Sequence, residues 1–500
     1  MKKALIFTTA MGMALGQPMI FQACAEDVGA DRLLDRIERL EADNARLKEA
    51  VEALLQDQDI ERLETQVVEA GRTTVPEHGG ETGATSLIGV SPDYGFRILD
   101  HAENVNRKRL LQLKARQEDA LGPVLTLSGQ VTVLADYQSS NRDDKFGYLM
   151  RHPTFNNQIG DSASEAVVHS ATLGVTATLS DNVTAYFEML YDPEQSFGAG
   201  TITSLARNQV QMRKAYLLWG NPDHSPVYAA IGKMDTPFGL NDTVSPFTNS
   251  SAWHAFAGLA YGAEVGYLQN GLSLRAMAIQ GGSQFRAANT EVDGTNVPSR
   301  LNNFALDGSY TASLAGEGSL LIGGSYLHGS AYCQEYPVVH FNPCEDNNPS
   351  WSLYGTLDYG KLKLLGEYAQ TSDAWPGSAV PDPTNPLSRF EAQETRAFTI
   401  GGRYGLGAVS GAGHATSDVS LEFSSFVAGD KGAPWERQDQ WVLGYSRYLS
   451  SNLNLFSEFV HVDGYAPLNF ISGGNFPDGS SWSDRDAQTD IVLVGAQAAF

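Results

Sequence analysis

From Leu121 to the C-terminus, apolar and polar residues alternate with a period of two. This is the pattern of strands that turn one face to an apolar surrounding and the other to water. Sixteen such segments can be delimited. The first eight run over 124–137, 165–179, 182–192, 207–219, 226–234, 258–268, 271–281 and 303–313. The second eight run over 318–329, 351–359, 361–371, 394–405, 416–427, 437–449, 452–463 and 487–500. Connections alternate between short turns, such as 180–182, 220–225, 269–271, 315–318 and 450–452, and long polar loops; among the short ones only the GAVSGAGHATSD stretch is not tight.

An even strand count with short turns at one end, long loops at the other and both ends of the sheet on the short side predicts an all-β transmembrane barrel of about 16 antiparallel strands. Backbone polar groups in hydrocarbon must pair within the protein, so such a sheet has to close, and its last strand must pair with its first. The chain accordingly finishes on DIVLVGAQAAF, where Val492 and Val494 share the parity of Phe500, as do the smaller Ala496 and Ala498.

Upstream the pattern differs. Residues 31–70 carry a heptad seam of Leu33, Ile37, Leu40, Leu47, Val51 and Leu54 with Asn44 at an a position, continued after a register slip by Ile60, Leu63 and Val67. A seam this narrow buries its leucines only against another helix, so residues 26–70 read as a coiled coil, expected in the periplasm and expected to associate copies of the chain, as a trimer. Residues 71–122 read as a linker, Gly-, Thr- and Pro-rich at first, with a short helix at 104–119. The first 25 residues combine Lys2 and Lys3, an apolar run and Ala23-Cys24-Ala25, a secretory signal cut after Ala25. Phe21 and Gln22 disfavour reading Cys24 as a lipid-attachment site. Cys333 and Cys344 then remain in one polar loop of an exported chain and are expected to form a disulfide rather than a metal site.

Strand parity sorts the charges. Lys214, Arg275, Lys363 and Arg403 fall on the inward face with Asp136, Glu188, Glu264, Asp307, Asp358, Glu367, Glu422 and Glu458. Four bases against eight acids predict a pore lining with mild cation preference. Tyr137, Tyr191, Trp219, Tyr267, Trp351, Tyr359 and Trp441 near strand ends suit interfacial girdles. The loop over 235–256 carries Pro237, Phe238, Gly239, Leu240, Phe247, Trp253 and Phe256; its apolar side chains are costly on an exposed loop, so it is expected to fold inward and narrow the pore.

Composition narrows the class further. With 18% charged residues and 50 glycines, the chain departs from soluble domains, and its net charge of -24 argues against nucleic acid as a partner. Beyond the signal no apolar run approaches the length of a membrane helix. No serine, histidine and aspartate arrangement, GHATSD at 413–418 included, sets up a nucleophile, so no enzyme, cofactor or metal is expected.

IGKMDTPFGLNDTVSPFTNS (231–250), EVGYLQNGLSLRAMAIQGG, NVNRKRLLQLKARQED and the order coiled coil, linker, barrel together resemble the LbtU-like siderophore porins and, more distantly, the phosphate-selective porin O and P group. The best motif is Gly232, Lys233, Pro237, Phe238 and Gly239. The resemblance implies a sixteen-stranded channel of the outer membrane of a Gram-negative bacterium, in contact with its lipid. It further implies passive uptake of small solutes, of iron-siderophore complexes in particular, without a plug. Alternatives are a general or phosphate-type diffusion porin and an envelope-tethering protein. An energised receptor is disfavoured, since those barrels have about 22 strands and a plugged lumen.

Overall fold

The computed structural model describes residues 87–151, 160–191, 210–281, 301–316, 318–333, 347–375, 390–407, 415–466 and 483–500. The described residues belong to one compact unit, Ser86–Phe500. The signal, the coiled coil and the first part of the linker fall outside the described residues.

This unit opens with β1 (Ile88–Val90), α1 (Pro92–Leu99), a 3-10 turn at Val105–Arg107 and α2 (Lys108–Gln117). Pro92 at the first helical position and Asp93 in the first turn suit the start of α1, because the proline sacrifices no needed donor and the carboxylate meets the helix dipole. Eight strands follow: β2 (Leu125–Ser140), β3 (Ser162–Ser180), β4 (Val183–Tyr191), β5 (Val210–Trp219), β6 (Val227–Asp235), β7 (Leu259–Gln269), β8 (Leu272–Ile279) and β9 (Asn303–Leu314). The remaining eight are β10 (Gly318–Leu327), β11 (Ser350–Tyr359), β12 (Leu362–Ala374), β13 (Glu394–Gly405), β14 (Ser417–Val427), β15 (Arg437–Ser450), β16 (Leu453–Tyr465) and β17 (Asp484–Ala499). A third helix, α3 (Ser251–Phe256), lies between β6 and β7, and its N-cap Ser250 accepts the Trp253 N–H at 3.2 Å.

Each of β2 to β17 pairs antiparallel with its two neighbours, and β17 pairs with β2, so the sheet is a closed sixteen-stranded barrel. At the seam Phe500 and Gly129 exchange both backbone hydrogen bonds at 2.9 Å. The Phe500 ring lies over Gly129, where a Cβ would stand 2.2 Å from it, so the terminal aromatic needs a glycine beneath it. Just beyond, β1 pairs in parallel with Leu125–Leu127 and continues the edge that β17 leaves.

Burial alternates along most of the barrel strands, most regularly in β2, β8, β13 and β15. The outer parity is apolar and exposed, with Val131, Ile231, Val265, Leu274, Ile322, Leu353, Ile400, Leu443 and Val494 among its members. A row of outward aromatics crosses seven neighbouring strands. Phe304 meets Tyr326 at 5.8 Å, Trp351 meets Tyr368 at 5.4 Å, Phe398 meets Phe423 at 6.4 Å and Phe423 meets Trp441 at 4.7 Å. Tyr326 pairs with Trp351, and Tyr368 with Phe398, across the intervening ladders. Such a continuous apolar face is far larger than soluble proteins leave in water.

Candidate functional site: the barrel lumen

The inner parity is buried although no second sheet covers it. Among the described residues, the connection from β6 to β7 and the segment that precedes β2 fill much of the interior, joined by the start of the β2–β3 connection, where Tyr148 shares a hydrogen bond with Thr248 at 2.9 Å. The sequence reading of a lumen without a plug is therefore corrected for residues 92–116, whose buried side chains pack inside the barrel. The reason lies in their composition: the 3-10 turn and α2 combine Leu110, Leu111 and Leu113 with Arg107, Lys108, Arg109, Lys114 and Arg116, matching the inward tyrosines and carboxylates of the wall.

The β6–β7 connection holds Pro237, Phe238, Gly239, Phe247 and Trp253, all buried. It runs against the opposite wall, where three carboxylates on alternate strands receive its backbone. Glu367 of β12 accepts the Leu240 and Asn241 N–H groups at 2.9 and 2.8 Å. Glu422 of β14 accepts the Val244 N–H at 2.9 Å and the Thr243 hydroxyl at 2.7 Å. Glu458 of β16 accepts the Phe247 and Thr248 N–H groups at 2.7 and 3.0 Å. A segment with no strand partner has to find acceptors elsewhere, and charge-assisted bonds to carboxylates are the strong solution. Gly239 has φ 68°, and a Cβ there would stand 2.2 Å from Glu367 Oε1. Phe247 stacks on Phe456 of the wall at 5.2 Å, and Phe256 packs on Phe238 and Tyr332.

The pre-barrel segment crosses the lumen. Tyr94 of α1 shares a hydrogen bond with Thr176 at 2.8 Å, and Phe96 packs on Tyr448 at 5.8 Å. Between the helices Glu103 pairs with Lys363 at 2.8 Å and with Arg403, which joins the crossing to β12 and β13. Asn106 donates to the Phe238 and Gly239 carbonyls at 2.6 and 3.0 Å, Val105 N–H donates to Asp242 at 2.9 Å, and Thr243 N–H donates to the Ala102 carbonyl at 2.9 Å. The two inner segments therefore hold each other. In α2, Arg109 forms a two-pronged pair with Glu264 of β7 at 3.0 and 2.7 Å, and Tyr216 donates to Gln112 at 2.7 Å. Lys108 points back at the carbonyls of Arg97, Asp100 and Glu103, and burial pushes its ammonium down to about 8.

The sequence-selected charges are thus distributed among distinct partners. Lys214 bridges Asp235 at 2.9 Å and Glu188 at 3.8 Å. Arg275 pairs with Asp307 at 2.8 Å and donates to the Asn106 carbonyl. Asp136 accepts from Gln138 at 3.1 Å, and Asp358 is the register partner of Lys363. Lys363, Arg403 and Asp358 are half-buried and the other nine are buried. Glu103, Asn106, Lys108 and Arg109 were not among the residues selected from sequence. The signal that could have found them is the absence of any acid over 105–117 in a chain of net charge -24. Cys333 is buried and disulfide-bonded, while Cys344 lies outside the described residues.

No family model matches the chain, and no curated protein matches it. Among solved structures, the anion-selective porin from Comamonas acidovorans is similar at 14% identity, over 75% of this chain and 99% of that one, with a TM-score of 0.45. The outer membrane channel DcaP of Acinetobacter baumannii is similar at 16% identity, over 75% and 97%, with a TM-score of 0.45. Pseudomonas putida OprB is similar at 10% identity, over 75% and 94%, with a TM-score of 0.46.

Proposed function

We propose that the chain is an outer-membrane channel that lets small water-soluble solutes diffuse through a lumen narrowed from within by its own chain. The observation that carries this reading is the closed sixteen-stranded wall with an exposed apolar outside and a polar, charged inside. In hydrocarbon such a wall leaves no unpaired edge, and its inner surface is the only hydrophilic route across. The short-turn end, where β2 begins and β17 finishes, faces the periplasm in this reading. A cleaved signal over 1–25, a periplasmic coiled coil over 26–70 and association in threes complete it, supported by the heptads. Iron-siderophore complexes, the cargo that the sequence resemblance implies, are one candidate among such solutes.

The test is planar-bilayer recording of the full chain refolded in detergent. Discrete conductance steps closing in groups of three are expected. A folded barrel that inserts and carries no current would overturn the channel.

A further inference from the structure

Most charges in the lumen are matched. Arg109, Lys214, Arg275, Lys363 and Arg403 each sit on a carboxylate, and Glu367, Glu422 and Glu458 are taken up by loop backbone. Twice as many wall acids as bases therefore overstates the negative charge a solute would meet.

At the short-turn end the balance reverses. A cavity of about 760 Å³ lies between the inner helices and β7 to β10, lined by Arg97 of α1, Arg107, Lys114 and Gln117 of α2 and its lead-in, and by Ser273 and Ser309 of the wall. None of the residues lining it is acidic. Among the described residues, Arg97, Arg107 and Lys114 have no carboxylate within ion-pair distance, and Arg107 Nη2 is buried without a hydrogen-bond partner. Arg107 lies over the Tyr354 ring at 5.8 Å, which orients its guanidinium edge. The nearby carboxylate of Asp223 already accepts from Gln117 at 2.7 Å. Arg107 and Lys114 fall on one side of the helix, roughly 10 Å apart along its axis.

We propose that this chamber binds a small anion bearing carboxylate or phosphate groups. Three cationic groups without an ion pair among the described residues, set in a walled cleft, focus positive potential, and guanidinium forks suit both oxyanions. The volume falls within the range of small-molecule sites and exceeds what a single inorganic anion fills, which favours an organic anion with two or more charged groups. The serine hydroxyls and Gln117 supply neutral donors beside the charges. In the channel reading the chamber is the inner mouth of the pore, where an anion dwells before release; the binding itself does not depend on conduction.

Titration calorimetry of the refolded full chain at low salt, with citrate and with inorganic phosphate, tests this. Saturable binding is expected, weakened about tenfold or more in Arg97→Gln/Arg107→Gln/Lys114→Gln and less in Lys114→Gln alone, an exposed position where the substitution should keep the barrel intact. Arg97→Lys/Arg107→Lys should retain most of the affinity. Citrate bound more tightly than phosphate supports an organic anion; phosphate bound equally well overturns that assignment. Absence of binding by the folded wild type, or unchanged affinity in the triple variant, would refute the site. A protein that binds citrate and carries no current would defeat the channel reading and leave this site standing.

Discussion

Arg109 shows how much one side chain does inside the barrel. Its guanidinium is buried, meets both oxygens of Glu264 and also donates to the Asp235 carbonyl at 2.9 Å. Tyr228 adds a bond to the same carboxylate at 3.1 Å. Removing one partner of a buried pair leaves the other charge stranded, a loss of about 3 to 5 kcal/mol, whereas replacing both with apolar groups is far milder. Arg109→Ala should therefore lower the urea midpoint of the folded barrel substantially. Arg109→Met/Glu264→Leu should recover most of it. Equal midpoints for wild type and Arg109→Ala would show that the pair contributes nothing to stability. Gly239 obeys a different constraint: its φ of 68° and the closeness of Glu367 both depend on a missing Cβ.

At the scale of elements, the inward loop is held by an unusual division of labour. Its two ends belong to β6 and β7, but six of its side-chain-accepted hydrogen bonds reach carboxylates of β12, β14 and β16 across the lumen, five from backbone N–H groups and one from the Thr243 hydroxyl. Three glutamates replace the ladder that a strand would have had. Glu367→Ala/Glu422→Ala/Glu458→Ala should release the loop while leaving the wall closed, because the strand ladder is made by main-chain groups that alanine keeps. Single-channel conductance is expected to rise by about twofold or more, since the cross-section is set by what fills it. Unchanged conductance with an intact barrel would mean that the loop does not narrow the path.

For the whole molecule, closure is the decisive event, and it is concentrated at one seam. Phe500 exchanges two backbone bonds with Gly129 and covers it with its ring, while a Cβ on Gly95 of α1 would stand 2.3 Å from the Phe500 carbonyl oxygen. The last residue thus meets the first barrel strand and the first inner helix together. Deleting Phe500 should reduce the yield of refolded barrel, read as loss of the heat-modifiable band on gels, more than truncating an outward valine such as Val494. Equal yields would remove the seam from the folding argument.

Strand count, antiparallel order, closure and the two faces were legible in the sequence because each is a local, period-two property that a membrane enforces on every strand. The apolar residues of the 235–256 loop likewise signalled an inward fold, since Phe238, Phe247 and Trp253 needed cover. What only the tertiary structure decided is how the interior is filled. Parity places Glu264, Glu367 or Glu422 on the inner face without distinguishing a solvated carboxylate from one bonded to a partner 100 or more residues away. That choice depends on which distant segment enters the lumen, and a basic stretch before the first strand reads equally well as a linker until the wall that matches its charges has closed around it.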